Sequence, residues 1–74
     1  MKLRKLNTTD QPPSDLEKKI LLKLSYGATH EKLESELNLK PDVPTSMIAK
    51  MIDRYSLNTE IHLVATAIKR GWIE

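Results

Sequence analysis

Side chains with reactive chemistry are sparse in this 74-residue chain. Cysteine is absent, so neither a disulfide nor a thiolate metal site can form. His30 and His62 have no histidine partner at ligand spacing and read as surface histidines rather than metal ligands. Glu31 and Glu34 sit about one helical turn apart and Asp53 adjoins Arg54, but a carboxylate doing acid–base work needs an apolar pocket, and no stretch builds one. Only Gly27 and Gly71 are available, too few for a phosphate-cradling loop. The expectation is therefore no enzyme, no cofactor, no metal and no small-molecule substrate. What remains is hydrogen bonding from a helix face. Thr45, Ser46, Ala49, Lys50 and Asp53 fall on one side of a segment whose other side carries Pro44, Ile48, Met51, Ile52 and Tyr55.

Four helices must position that face, spanning about 14–26, 30–37, 44–56 and 59–70. Ser14 is the expected N-cap of the first, with Glu17 three residues on completing a capping box, and Gly27 is its stop. Leu16, Ile20, Leu21 and Leu24 form its apolar face, leaving Leu22 outside. Thr29 caps a short second helix anchored by Leu33 and Leu37. Pro41 and Pro44 bracket the next turn, and Asp42 is the expected side-chain capping acceptor for the amide of Thr45. Thr59 caps the last helix, which ends at Gly71 with Trp72 and Ile73 folded back. That helix is apolar around much of its girth. Val64, Ala65 and Ile68 are assigned to the core, and Leu63 with Ala67 is left for another surface. An apolar-backed helix with a low-relief polar front, preceded by a short helix and a tight turn, is the arrangement that places side chains in a major groove.

Composition narrows the class. The chain is 30% charged and 4% aromatic and lacks Phe, so one small aliphatic core is expected over residues 14–74. Residues 1–13, with Lys2, Arg4, Lys5 and the pair Pro12-Pro13, are expected to form a flexible basic arm. No run of about 20 apolar residues occurs, so no membrane partner is expected and the location is read as cytoplasmic.

From Ser14 to Ile73 the chain resembles the LuxR/GerE-type helix-turn-helix domain, the C-terminal output domain of bacterial response regulators. The match is carried by Ser14, Glu17, Ile20, Leu21, Leu24 and Gly27, by Thr29, Leu33, Leu37 and Leu39, by Ile48, Met51, Ile52 and Leu57, and by Leu63-Val64-Ala65, Ala67-Ile68 and Gly71-Trp72-Ile73. The resemblance implies an all-α, four-helix fold and a DNA-binding transcription regulator that meets duplex DNA through its third helix. It implies Thr45, Ser46 and Ala49 as base readers, and Thr29, Lys32, Lys40, Lys50 and Arg54 as phosphate contacts. It also implies a weak homodimer through the fourth helix, with Leu63 and Ala67 near the axis.

This chain departs from the family pattern where DNA would be touched. Lys40 replaces a usual Ser, Val43-Pro44-Thr45 stands for Thr-Val-Lys, and Glu34 replaces a small Ala. Between Thr29 and Tyr55 four bases face five acids, although phosphate neutralisation dominates affinity for DNA. A second reading therefore stands beside the first: a protein-interaction module that keeps the fold and has lost the groove chemistry.

Overall fold

A computed structural model describes residues 11–74. Among them are four helices and no strand: α1 (Asp15–Ser25), α2 (His30–Glu36), α3 (Val43–Arg54) and α4 (Glu60–Lys69). The charges Lys2, Arg4 and Lys5 of the expected arm lie outside the described residues. Its last residues belong to the folded unit, because Pro13 is buried and the Gln11 carbonyl accepts a hydrogen bond from the Tyr55 hydroxyl at 2.7 Å.

Local chemistry explains each helix start. Ser14, Thr29 and Thr59 have extended backbone, and their hydroxyls accept from the amides of Glu17, Lys32 and His62, satisfying donors that a first turn leaves orphaned. At α1 the Glu17 carboxylate returns the bond to the Ser14 amide at 2.8 Å, closing the capping box. Asp42 behaves differently from the expected side-chain cap. It takes φ +72°, and its side chain makes no capping bond. A left-handed backbone carries the carboxylate away from the first-turn amides, and Pro44 at the second position of α3 has no amide to be capped.

The four helix ends share one device. The amides of Ala28, Leu39, Leu57 and Trp72 reach back to the carbonyls of Lys23, Glu34, Ile52 and Ala67 at 2.8–3.0 Å. The preceding residues Gly27, Asn38, Ser56 and Gly71 all have positive φ. These are Schellman closures, and each sets an apolar residue against the core just past the helix.

The core comprises Ile20, Leu21, Leu33, Ile48, Met51, Tyr55, Leu63, Ala67 and Ile73, with Pro44 beneath the start of α3. In it α1 packs on α4, α2 on α3, and α3 on α4. The Tyr55 and Trp72 rings meet at 4.7 Å and 41°, clamping the C-terminal turn onto the end of α3. Leu22, expected outside, is half-buried against the core, whereas Leu16, Leu24, Leu37 and Ile52 are only half-buried.

The orientation of α4 corrects the sequence reading. Leu63, Thr66 and Ala67 face inward, and Leu63 and Ala67 are completely buried within one chain, so neither can lie at a dimer axis. Ile68 is 53% exposed, Ile61 is 81% exposed, and Val64 and Ala65 are half-buried. Two causes select this face. Ala67 and Thr66 are small enough for close helix packing, and the Thr66 hydroxyl donates to the His62 carbonyl at 2.8 Å, so it enters the core already satisfied. The closure at Gly71 then lays Ile73 over that same side.

Candidate nucleic-acid interface

The α3 helix divides as its periodicity requires. Pro44, Ile48 and Met51 are buried, while Thr45, Ser46, Ala49, Lys50 and Asp53 are exposed. The front therefore projects the hydroxyls of Thr45 and Ser46 and the Ala49 methyl, followed by Lys50 and Asp53 toward the helix end. Lys40 is exposed in the preceding turn, and Lys32 is exposed on α2. Lys40 and Lys50 have no ion pair among the described residues, and Lys32 has only a 3.9 Å approach to Glu36, whose other oxygen holds Lys23 at 2.9 Å. That closer lysine bond, with Lys32 a lesser influence, keeps the Glu36 carboxyl below its ordinary range. Thr29 is exposed, and because its oxygen accepts from Lys32, its hydroxyl proton remains available to a phosphate.

Arg54 does not join this group. Its guanidinium forms a two-pronged pair with Glu17, at 3.0 Å from Nη1 to Oε1 and 2.9 Å from Nη2 to Oε2, and sits 5.5 Å above the Tyr55 ring. The sequence reading of Arg54 as a phosphate contact is thus corrected: it ties the end of α3 to the start of α1. Glu17 is 8% exposed, and burial alone would favour its neutral form. The hydrogen bonds from Arg54 outweigh that, helped by the Ser14 amide, and hold the carboxyl below its ordinary value. The same contact raises the Arg54 pKa further above its already high value. The pair engages both Nη atoms of the guanidinium and lies mostly out of water, so a phosphate taking that two-pronged face would have to displace a better-placed carboxylate.

His30 was the residue that sequence reasoning missed. Read as an isolated surface histidine, it joins three helices: Nδ1 lies 2.7 Å from Thr45 Oγ1 on α3, and Nε2 lies 2.8 Å from Glu60 Oε1 on α4. No spacing rule connects positions 30, 45 and 60. A position-by-position clue did exist, since each falls in the first turn of its helix, and the packing brings those three turns together. His62 conforms to the surface reading, taking a long 3.3 Å bond from the Asn58 amide.

Around the front, acids intrude. The Glu34 carboxylate accepts from the Asp42 amide at 3.4 Å, bracing the left-handed turn, and Asp42 and Asp53 are exposed beside the two ends of the strip. Three hollows in the surface are lined from α1, α2, α4 and the C-terminal turn, and none of the three takes a residue of α3. The exposed side of α3 is the outer face of a helical cylinder and so is convex. No family model, curated protein or solved structure matches the chain. Among the described residues no three His, Cys, Asp or Glu side chains converge as metal ligands would, and no helix is long and apolar enough to cross a membrane.

Proposed function

We propose that the chain is a LuxR/GerE-type helix-turn-helix domain that binds duplex DNA through α3 and serves as a transcription regulator. The observation that carries this reading is the division of α3 into a back buried to Met51 and a convex, short-chained front left exposed by the described residues. A convex front of this relief fits a major groove, whereas a small-molecule site is concave. Thr45, Ser46 and Ala49 then meet base edges, the Ala49 methyl being suited to a thymine methyl. Lys32, Lys40, Lys50 and the Thr29 hydroxyl meet phosphates, and Arg54 is withdrawn from the set. Three lysines give a slope of log affinity against log salt of about −3 per domain. Pairing of two domains through α4 would use the exposed Ile61 and Ile68 with half-buried Val64 and Ala65, in place of Leu63 and Ala67.

A second reading, the protein-interaction module, is favoured by one observation: Glu34, Asp42 and Asp53 surround the strip, and the one arginine of α3 is spent internally. Fluorescence anisotropy with labelled mixed-sequence duplex at low salt separates the two. Saturable binding that Lys50→Glu weakens for every sequence supports the regulator. No binding by the wild-type chain, with none created by Asp42→Lys, gives the interaction module its place.

A further inference from the structure

The contact between His30, Thr45 and Glu60 does more than join helices, because with a neutral imidazole it sets which way a hydroxyl points. Glu60 Oε1 lies 2.8 Å from His30 Nε2, and an ionised carboxylate can only accept, so Nε2 must carry a proton. In the neutral imidazole the other nitrogen, Nδ1, is then a bare acceptor. Thr45 Oγ1 lies 2.7 Å from it, so the hydroxyl spends its single proton on His30. Toward solvent Thr45 is left with lone pairs alone. Thr66 makes the contrast: its hydroxyl donates back along its own helix to the His62 carbonyl, whereas the hydroxyl of Thr45 turns across to another helix.

We propose that Glu60 and His30 fix the Thr45 hydroxyl as an acceptor-only group, so that this position of the α3 front takes a base presenting an amine in the major groove, adenine or cytosine. This rests on the DNA-binding reading above and specifies its chemistry. An ordinary threonine is ambivalent, because its hydroxyl rotates to accept or to donate. Here rotation would break a 2.7 Å bond to the ring. The constraint excludes two alternatives together. Guanine and thymine offer acceptors at the corresponding edge, and so does a phosphate, so none of them can receive a bond from this hydroxyl. Adenine N6 and cytosine N4 carry the protons that Thr45 can accept. His30 and Glu60 touch no base in this scheme. They are positioning residues, and they give a short side chain a base preference that its own chemistry lacks.

The test has two arms, both on the intact chain at about pH 8, where an ordinary imidazole is uncharged. Nitrogen-15 spectra of the histidine rings report the tautomer without DNA. A protonated Nε2 with bare Nδ1 at His30 is expected, and the opposite tautomer overturns the proposal. Selection from a randomised duplex pool at low salt then compares the wild type, Thr45→Val, Thr45→Ser and His30→Phe, each first checked for helical content by circular dichroism. The site position whose preference vanishes in Thr45→Val identifies what Thr45 reads. There the wild type and Thr45→Ser should favour adenine or cytosine by on the order of 3- to 10-fold, as one hydrogen bond allows. His30→Phe should keep overall binding within a few-fold and lose that preference, because its hydroxyl rotates freely. A guanine or thymine preference, or an unchanged preference in His30→Phe, overturns the inference while leaving DNA binding standing. If the wild type selects nothing, the DNA reading falls and the base preference with it, even where the nitrogen spectra show the expected tautomer.

Discussion

Replacing Arg54 with methionine keeps most of the aliphatic stem and removes the guanidinium, and the two accounts of this residue predict opposite results. Glu17 is 8% exposed and receives three short bonds, from the Ser14 amide at 2.8 Å and from Arg54 at 3.0 and 2.9 Å. In Arg54→Met only the Ser14 bond remains to a carboxylate that is largely out of water. Breaking a fully buried pair from one side costs about 3 to 5 kcal/mol. The Arg54 side chain is 30% exposed, so water can partly replace it, and about 2 to 3 kcal/mol is the appropriate figure. A chain of this size has roughly 4 to 11 kcal/mol in all, so Tm should fall by roughly 10 to 20 °C. Urea unfolding followed by circular dichroism measures the loss. Adding Glu17→Gln to Arg54→Met should cost less than the sum of the single changes, because no charge is left unpaired. The pH dependence carries a sign. The Glu17 carboxyl is held below its ordinary value of 4.5, so its contribution is complete above that pH and disappears as pH falls through the depressed folded value. Wild type and Arg54→Met should therefore differ near neutrality and converge in acid. Unchanged unfolding of Arg54→Met, together with weaker DNA binding and a salt slope shallower by about 1, would refute this account and return the guanidinium to a phosphate.

Leu63→Glu should unfold the domain rather than split a dimer, since Leu63 is completely buried within one chain; a folded monomer by circular dichroism and sedimentation would contradict that. Leu63→Ala, the milder change, should cost about 2 to 5 kcal/mol in urea. Ser56 sits at φ +58° in the closure after α3, so Ser56→Gly should raise stability by up to about 1 kcal/mol, and a loss would reveal a contribution from the serine side chain. If domains pair through α4, Ile61→Asp should abolish the pairing in sedimentation and leave the helical spectrum intact, because Ile61 is 81% exposed. Lys50→Glu should lower affinity for all duplexes alike, whereas an effect confined to one sequence would make Lys50 a base reader.

The helices were legible because their signals are local. Ser14, Thr29 and Thr59 cap amides three residues away, Gly27 and Gly71 relieve a left-handed turn, and the period of α3 sorts Pro44, Ile48 and Met51 from Thr45, Ser46 and Ala49. Interactions spanning about a turn of chain depend on spacing, and spacing is what a sequence records. The α4 face was not legible, because a helix apolar on several sides has no single preferred inward side. Leu63 and Ala67 were chosen over Val64 and Ile68 by the shape of the neighbouring helices and by Ile73 folding over them. The candidate site divides the same way. Which residues stand on the front of α3 follows from periodicity, but the groups that hold Arg54 and His30 lie 37 residues away for Arg54 and 15 and 30 residues away along the chain for His30. Whether a guanidinium meets a carboxylate or a phosphate, and whether a hydroxyl donates or accepts, depends on the group within about 3 Å. Only the packing of α1 on α4, α2 on α3 and α3 on α4 brings those groups within that distance.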